Sequence, residues 1–373
     1  MIRVLHVIDS GGVFGAEVVI LNLMDAQKSI GIKPVLLSLG NIGVEQKSVE
    51  IEAEARGLDC IKLRLRKGID VGGLKNILYY ARGTGANIIH SHGYKGDILL
   101  GMLPKRLRKI PVIATLHGWT STRPLSKIWF YNLLDLLFLK NFNCVVSVSH
   151  SHVRNPGLRS LHIKPTVINN GIPKLDFKPS YRHKEIVENC RCTYKLLSVG
   201  RLSQEKGFDI LIRALAIIVS HSLDAELVIA GDGKEKRRLI KLAQRENILE
   251  RVHFVGYVER AFRLMHYFDA FILPSKTEAF PITVLEAMQA GVPIIATKVG
   301  DVPIILDYGR FGVLVDTSNE KSMANSIEDV LLKRQLATDK AKAAKLYALK
   351  EYSCTKMADR YLLQYNDVIA NSR

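Results

Sequence analysis

The chain of 373 residues is long enough for two domains, and its 47% hydrophobic and 24% charged residues are typical of a globular protein. It has no run of about 18 apolar residues that would span a membrane, and the start MIRVLHVIDSGG lacks the apolar stretch of a signal peptide, so we expect a cytoplasmic location. The formal net charge is +17, of which +12 falls in residues 1–175. This favours an anionic partner such as a membrane surface, a phosphorylated acceptor or a nucleic acid, although a generally basic surface would give the same count.

The first half of the chain alternates short apolar runs with amphipathic, helix-like stretches such as residues 15–30 and 73–83. Apolar runs of this length are typical of parallel strands that are buried on both faces. The predicted strands are residues 2–8, 34–39, 86–92, 111–117 and 144–149. The alternation predicts a doubly wound α/β domain over residues 1–172.

The second half repeats the pattern, which predicts a second Rossmann-like domain over residues 194–350. Its predicted strands are residues 194–200, 225–231, 251–257, 270–275, 292–297 and 312–316. Its predicted helices include residues 207–220, 235–247 and 320–334. Prolines, charges and weak periodicity predict a linker at residues 173–193. The amphipathic helix of residues 351–373 either packs on the second domain or crosses back to the first. With two such sheets, the cleft between the domains is the expected ligand site.

A glycine turn follows the first predicted strand in DSGGVFGAE (9–17). A strand, a turn and a helix together expose backbone amides to a ligand. The spacing of Gly11, Gly12 and Gly15 does not match the dinucleotide-binding fingerprint, and a tight turn without function would look the same.

Two cations follow the strand at the start of the second domain. Arg201 and Lys206 lie in a loop ahead of a predicted helix, in SVGRLSQEKGFDILIRAL. Two cations at the carboxyl end of a strand suit a diphosphate, whose negative charge grows as it leaves. Either residue alone is more often a solvated surface charge.

Two glutamates frame a predicted helix start in KTEAFPITVLEAMQ (276–289). Pro281 suits the first turn, where its missing N–H costs nothing, and the amides of residues 280–283 would face a phosphate. Glu278 precedes these amides and Glu286 lies inside the helix. A carboxylate accepts hydrogen bonds from paired hydroxyls, so these residues are candidates for binding a sugar and a ribose. Capping and surface charge are the simpler explanation.

Three histidines lie at predicted strand ends. His117 ends one strand, while His90 and His92 are spaced i, i+2 on another and would suit either a cleft or a metal. The sequence shows no clear third metal ligand, and strand-end histidines are often structural, so His117 is the first candidate and His92 the second. The five cysteines are odd in number, and Cys190 and Cys192 have no second Cys/His pair at zinc-like spacing, which favours incidental thiols.

EAFPITVLEAM, followed by GVPIIAT, resembles the E-x7-E signature of retaining glycosyltransferases of family 4. VGRLSQEKGFDILIRAL, VIAGDGKEKRRLIKLA, RVHFVGYV and VINNGI are similar to further landmarks of that family. The resemblance extends from residue 2 to about 365 and is stronger in the second half. It implies the GT-B fold, with an acceptor-binding first domain and a nucleotide-sugar-binding second domain that face a central cleft.

The resemblance also implies roles for individual residues. Glu278 would contact the donor sugar and Glu286 the ribose, while Arg201 and Lys206 would bind the diphosphate. The remaining implied site residues are His117 near the reacting sugar, Phe280, Pro281, Ile282 and Thr283 at the phosphates or sugar, Val255 and Tyr257 at the base, and Gly12, Gly15 and His92 on the acceptor side. Ala279, Asp301 and Ile304 depart from the family's usual glycine, glycine and glutamate, which leaves the sugar undefined.

The implied reaction moves a sugar from a UDP- or GDP-linked donor to an acceptor hydroxyl with retention of configuration. No DxD-type carboxylate pair lies in a suitable loop, so we expect no metal and no other cofactor, with cations and a helix N-terminus binding the leaving group. We see no enzymic nucleophile for a double displacement, which favours attack and departure on the same face.

The acceptor side is suggested by composition alone. Basic clusters at 62–67 and 104–109 favour contact with anionic lipid, and hence a lipid-linked or membrane-proximal acceptor in bacterial lipopolysaccharide, capsule or exopolysaccharide synthesis. Residues 123–140 are apolar nearly all round, which predicts a buried helix rather than an interfacial one. Two alternatives remain: a GT-B sugar-nucleotide epimerase, and a nucleic-acid binder suggested by charge but supported by no recognised motif.

Overall fold

The computed structural model describes residues 1–9, 12, 15–68, 70–118 and 127–372, excluding the side chains of residues 127 and 128. The chain divides into two compact units. The first unit comprises Met1–Pro173 and Ser353–Arg373, and the second comprises Lys174–Tyr352.

The first unit is built around a parallel sheet of seven strands among its described residues. The strands are β1 (Arg3–Asp9), β2 (Lys33–Asn41), β3 (Asp59–Leu65), β4 (Ile88–His92), β5 (Val112–Leu116), β6 (Cys144–Ser147) and β7 (Thr166–Val167). The helices between them are α1 (Gly15–Ser29), α2 (Ser48–Ala55), α3 (Val71–Gly83), α4 (Tyr94–Gly101), α5 (Lys127–Leu139), α6 (His150–Val153) and α7 (Pro156–Ser160). Every residue of β4 and β5 is buried, as expected for strands covered on both faces.

The second unit repeats this architecture with a parallel sheet of six strands in its part of the chain, all of it described. The strands are β8 (Tyr194–Val199), β9 (Ala225–Ala230), β10 (Val252–Gly256), β11 (Ala270–Leu273), β12 (Ile294–Thr297) and β13 (Val313–Val315). The helices are α8 (Tyr181–Glu188), α9 (Phe208–Ser220), α10 (Lys236–Arg245), α11 (Ile282–Ala290), α12 (Val302–Ile305), α13 (Glu320–Leu332) and α14 (Arg334–Glu351). Two Rossmann-like α/β units confirm the predicted fold class.

The order of the strands is that of doubly wound sheets. It is β3-β2-β1-β4-β5-β6-β7 in the first unit and β10-β9-β8-β11-β12-β13 in the second. An apolar core packs against each sheet, for example where Leu211 and Leu215 of α9 pack with Ile327 of α13. Each sheet therefore presents the carboxyl ends of its strands, and the loops that follow them, along one edge.

The last helix returns to the first unit. Helix α15 (Cys354–Ala370) packs along α1, and its Tyr365 is fully buried. The chain re-enters the first unit where Ile172 forms an isolated parallel bridge with Ser353. The sequence was compatible with packing of this helix on either domain, and in the structure it packs on the first.

Two predicted segments differ from expectation. Residues 173–193, predicted as a linker, contain α8 and belong to the second unit from Lys174 onward, because His183 of α8 bonds the Glu259 carbonyl at 3.1 Å. The basic cluster at 62–67, expected to contact anionic lipid, lies largely on the edge strand β3, where Lys62 and Arg64 are paired with Glu54 and Glu50, each at 2.8 Å.

The basic cluster at 104–109 is also partly structural. The Arg108 side chain is buried and donates to the carbonyls of Leu100, at 2.8 Å, and Asn141. Burial lowers the pKa of this guanidinium to about 10. Arg108 therefore stabilises the interior of the first unit and does not contribute to a basic surface patch.

Helix α5 is not the buried helix that its apolar composition predicts. Phe130, Leu133 and Leu137, spaced i, i+3 and i+7, are 51%, 41% and 39% exposed. Asp135 and Leu139 form the buried face. The described part of 123–140 thus has an apolar surface stripe, while residues 123–126 lie outside the described residues. Among the described helices, none combines the length and the apolarity that crossing a bilayer requires.

One glycine should be indispensable for packing the second unit. Gly207 has φ of +65°, and a Cβ there would overlap the Pro274 carbonyl oxygen. Gly256 has a similar φ of +72° but open space around it. We expect Gly256→Ala to cost about 1–2 kcal/mol from backbone strain alone, and Gly207→Ala to cost about 3 kcal/mol or more. Calorimetric Tm values of both variants test this, and equal losses would contradict it.

Candidate active site

The strand order reverses once in each described sheet, and predicted functional residues lie at both reversals. In the second unit the chain runs from β8 outward to β9 and β10, then returns to β11 on the other side of β8. The first unit reverses in the same way between β1 and β4. Ligands of such sheets bind beyond the carboxyl ends of the strands at these points.

A salt bridge joins the two loops at the reversal in the second unit. Lys206, after β8, donates from Nζ to Glu278 Oε1, after β11, at 2.6 Å. Ser275 Oγ donates to the same oxygen at 2.7 Å. An ammonium has three N–H donors, so Lys206 can bind a second acceptor while it holds Glu278. The sequence predicted both residues, and the structure brings them into contact.

Backbone contacts fix these loops against each other. The Lys276 N–H donates to the Glu205 carbonyl at 2.8 Å, and Gly207 lies against the Pro274 carbonyl. On the far side, Gly300 has φ of +52°, and a Cβ there would overlap the Glu278 carbonyl oxygen. The position of the Glu278 carboxylate is therefore set by close backbone packing on both sides.

Arg201 is less constrained than Lys206. Its side chain is 61% exposed and contacts Glu205 Oε1 at 3.1 Å. Glu205 also accepts from Ser203 Oγ at 2.6 Å, and these contacts outweigh its partial burial so that the pKa of Glu205 is lowered. Arg201 thus lies in the same loop as Lys206 but is paired with a different carboxylate.

The start of α11 lies one residue later than predicted. Pro281 is the residue before the helix, with ψ of 118°, and Ile282 and Thr283 open the first turn. The first amides of a helix lack partners within it, so those of α11 remain suited to a phosphate. Phe280 is buried against Tyr352, with ring centroids 5.6 Å apart, so its side chain supports the loop and only its backbone is suited to a ligand.

Glu286 lies within α11, and burial raises the pKa of its carboxyl to about 8. In the ligand-free protein at neutral pH this carboxyl is therefore largely protonated. A protonated carboxyl both donates and accepts one hydrogen bond, a capacity that matches a pair of neighbouring hydroxyls.

The residues predicted to line the base lie on the edge strand of the second sheet. Val255 is half-buried on β10, and its carbonyl accepts from Arg182 at 3.1 Å. Tyr257 follows the strand and is 70% exposed. Strand β9 lies between β10 and β8, so one strand separates these residues from the loop that carries Lys206.

Two of the three departures from the family pattern, Ala279 and Asp301, are joined by a backbone hydrogen bond next to Glu278. The Ala279 carbonyl accepts from the Asp301 N–H at 3.0 Å, and the Asp301 side chain is buried at the start of α12. Ile304 is half-buried within α12. Asp301 therefore holds the loop that carries Glu278.

His92 and His117 meet at the reversal in the first unit. The Nδ1 atom of His92 lies 3.1 Å from His117 Nε2, and burial is the main cause that lowers the pKa of His117 to about 4. Both line a cavity of about 120 Å³ together with Glu17, Asp97 and Asp135. Gly12 forms a bend and Gly15 begins α1, while Gly11 of the predicted glycine turn lies outside the described residues.

Position 6 supplies the third histidine that the sequence did not reveal. His6 of β1 is aligned with His90 of β4, and the side-chain nitrogens of His6, His90 and His92 lie within 4.8 Å of one another. Cys190 similarly lies close to Glu226 and His253. The distances within each group would allow a metal ion to bind. In the histidine group, however, every ring nitrogen already has a hydrogen-bond partner.

Two family models together match most of the chain. The family described as glycosyl transferases group 1 matches residues 188–347, and Glycosyltransferase Family 4 matches residues 13–174. The chain belongs to the group 1 glycosyltransferases. The two matches fall on the two Rossmann-like units, so this glycosyltransferase has the GT-B fold.

Relatives of the glycosyltransferase include two Escherichia coli proteins. It is 24% identical to O-antigen biosynthesis glycosyltransferase WclY, over 93% of this chain and 97% of the relative. It is 25% identical to UDP-Gal:alpha-D-GlcNAc-diphosphoundecaprenol alpha-1,3-galactosyltransferase, over 76% of each chain. Among solved structures, Anabaena Alr3699/HepE in complex with UDP is similar with a TM-score of 0.82, 18% identity and coverage of 98% of this chain and 100% of that one.

Two buried carboxyls of the glycosyltransferase, those of Asp97 and Asp135, were not predicted from the sequence. Burial, reinforced by the neighbouring Asp135 carboxyl, raises the pKa of Asp97 well above its ordinary value. Asp97 lies on α4 and Asp135 on α5, and only their shared position in the first-unit cavity reveals the pair. Ser275 was also missed, although its place at the end of a predicted strand and three residues before Glu278 was a usable signal.

Glu286 should make stability depend on pH. In the folded protein the Glu286 carboxyl keeps its proton up to about pH 8, whereas in the unfolded chain it loses the proton near its ordinary pKa. The contribution of Glu286 to the free energy of unfolding therefore falls as the pH rises from the unfolded to the folded pKa. We expect Glu286→Gln to unfold like the parent at about pH 5 and to be more stable by about 1 kcal/mol or more at about pH 9. Urea titration of the ligand-free protein tests this, with the exposed Glu250→Gln as control. A difference independent of pH would contradict it.

Proposed function

We propose that this glycosyltransferase is retaining and metal-independent and uses a UDP- or GDP-linked sugar. Its acceptor is the hydroxyl of a lipid-linked or membrane-proximal glycan in bacterial surface polysaccharide synthesis. The observation that carries the donor assignment is the contact of Lys206 with Glu278 at 2.6 Å at the sheet reversal, directly ahead of α11. The names of the two E. coli relatives and the UDP held by the Anabaena protein support the choice of donor and acceptor class.

The charges in the second unit suit a diphosphate-linked sugar. A cation, a carboxylate and a helix start lie within one pair of loops. The cation and the amides of Ile282 and Thr283 attract the phosphates. Glu278 cannot attract them, and its hydrogen-bonding capacity suits sugar hydroxyls instead. We assign Arg201, on the same loop as Lys206, as a second phosphate ligand. Its guanidinium leaves Glu205 and binds the phosphates when the sugar nucleotide binds.

The proposed reaction breaks the bond between C1 of the sugar and the β-phosphate oxygen, which takes the electron pair. The acceptor hydroxyl oxygen forms the new bond to C1 from the same face, and its proton passes to the departing phosphate oxygen. Lys206, Arg201 and the α11 amides stabilise the growing negative charge, so no metal is invoked. His117 contacts the reacting sugar, while Glu286 binds the ribose and Val255 and Tyr257 bind the base. Gly12, Gly15 and His92 are assigned to the acceptor side.

Glu278 should be essential for transfer but not for nucleotide binding. We expect Glu278→Ala to lower kcat by about 100-fold or more, because the sugar loses its main hydrogen-bond acceptor, and to change nucleotide affinity by less than about threefold. A panel of UDP- and GDP-sugars in thermal-shift and transfer assays identifies the donor first, and calorimetry with the free nucleotide gives affinity.

The control variant is Glu250→Ala, which removes an exposed carboxylate from the same unit. Normal turnover of Glu278→Ala would refute the assignment. NMR of the product defines the anomer, and inversion would refute retention. Activity that disappears in EDTA and returns with Mg²⁺ or Mn²⁺ would refute metal independence. Release of free, epimerised sugar without an acceptor would favour the epimerase alternative.

Membrane contact is the second part of the proposal, and the stripe Phe130–Leu133–Leu137 of α5 carries it. A half-exposed apolar stripe on a basic chain suits the interface of an anionic bilayer. The pairing of Lys62, Arg64 and Arg108 with protein groups removes these cations from the contact, so we place the contact on α5 rather than on the basic clusters.

The α5 stripe should determine binding to vesicles. We expect the double variant Phe130→Ser, Leu137→Ser to bind vesicles containing anionic phospholipid about tenfold more weakly. Leu346→Ser, which removes a 73% exposed leucine from the second unit, should bind like the parent. Sedimentation with vesicles measures both. Unchanged binding of the double variant, or equal loss in the control, would refute the assignment.

A further inference from the structure

His117 is the end of a buried hydrogen-bond chain in the first unit. Its Nε2 lies 3.1 Å from His92 Nδ1, and His92 Nε2 lies 2.9 Å from His6 Nδ1. His6 Nε2 lies 2.8 Å from the side-chain oxygen of Gln27 on α1, and Gln27 Nε2 donates to the Tyr365 hydroxyl of α15 at 3.0 Å. Three side chains, His92, His6 and Gln27, thus connect His117 to Tyr365 of the last helix.

The chain continues beyond Tyr365 to a second tyrosine. The Tyr365 hydroxyl lies 2.8 Å from His90 Nδ1, and His90 Nε2 lies 2.7 Å from the Thr115 hydroxyl. Thr115 in turn lies 3.0 Å from the Tyr361 hydroxyl. Apart from His117, which is partly buried, every member has at most 4% of its surface exposed. Bulk water is therefore a poor substitute partner for these groups.

The amide of Gln27 gives the chain a direction. Its oxygen can only accept, so His6 must donate from Nε2. A neutral imidazole has one N–H, which leaves His6 Nδ1 as an acceptor for Nε2–H of His92. The same step repeated leaves His92 Nδ1 as the acceptor for Nε2–H of His117.

The histidines of the chain are neutral, as this argument requires. Burial lowers the pKa of His6 and of His117 to about 4, and it lowers the pKa values of His90 and His92 well below their ordinary value. Near neutral pH each ring therefore carries a single N–H, and the partner on one side of the ring decides which nitrogen holds it.

We propose that His92, His6 and Gln27 are positioning residues that hold His117 as its Nε2–H tautomer, with a lone pair on Nδ1. A lone pair on Nδ1 accepts a hydrogen bond, so His117 recognises a hydroxyl group that donates one. In the proposed function, this group is a hydroxyl of the sugar carried by the nucleotide. The inference rests on that function only for the identity of the hydroxyl. Tyr365 extends the constraint to α15, so the last helix helps to define the tautomer.

The close approach of His6, His90 and His92 has a different explanation from metal binding. All six ring nitrogens of these residues already have hydrogen-bond partners in the chain. A metal would have to displace Gln27, Tyr365 or Thr115 from a fully buried site. The hydrogen-bond chain therefore accounts for the cluster without an ion.

Histidine tautomers can be measured directly on the ligand-free, full-length protein. Long-range ¹H–¹⁵N correlation spectra of the ¹⁵N-histidine-labelled protein near neutral pH should show His6, His92 and His117 as neutral Nε2–H rings. An Nδ1–H or doubly protonated His117 would overturn the proposal, as would resonances of this group that shift on addition of equimolar Zn²⁺. The measurement needs no substrate, so its outcome is independent of whether the proposed sugar transfer is correct.

The matched variants are Gln27→Met and Leu23→Val. Gln27→Met keeps the side-chain length but removes the acceptor, and we expect a second, Nδ1–H population of His117 and a kcat about tenfold lower with little change in donor KM. Leu23, one turn earlier on the same face of α1, is equally buried, and its variant should keep the tautomer and kcat. If Gln27→Met does not fold, Tyr365→Phe is the second variant, because it removes the hydroxyl to which the Gln27 amide donates. An unchanged tautomer in the interrupted chain, or an equal kcat loss in Leu23→Val, would refute the proposal.

Discussion

The contact between Lys206 and Glu278 depends on how closely two loops approach each other. Gly207 allows the loop after β8 to lie against the Pro274 carbonyl, and Gly300 allows the loop before α12 to lie against Glu278. Both glycines have positive φ, so a side chain at either position would be strained as well as crowded. The second unit thus places a cation, a carboxylate and a helix start at one sheet reversal.

The fold was largely predictable because parallel strands buried on both faces leave a strong apolar signal. The stretch 207–220 was predicted as a helix, and α9 spans Phe208–Ser220. Strand β3 was missed because its sequence DCIKLRL alternates charged and apolar residues, as suits an edge strand. The exposure of Phe130 on α5 was also missed, because composition does not reveal which faces of an apolar helix find a partner.

The candidate site was predictable where its residues belong to one local motif. Glu278 and Lys206 follow apolar strands within recognisable stretches, and the structure brings them together. The chain behind His117 was not predictable in this way. His6 meets His92 only through the register of β1 with β4, and Gln27 meets Tyr365 across 338 positions of sequence. Such contacts are set by tertiary packing and leave no local pattern.

The return of α15 to the first unit makes that unit discontinuous along the chain, and this affects the order of folding during synthesis. The ribosome completes the second unit, Lys174–Tyr352, before it makes α15. Until then Gln27 and His90 lack the tyrosine hydroxyl that joins them. Since domains generally fold as units while the chain emerges, the second unit can fold while the first still lacks a buried helix.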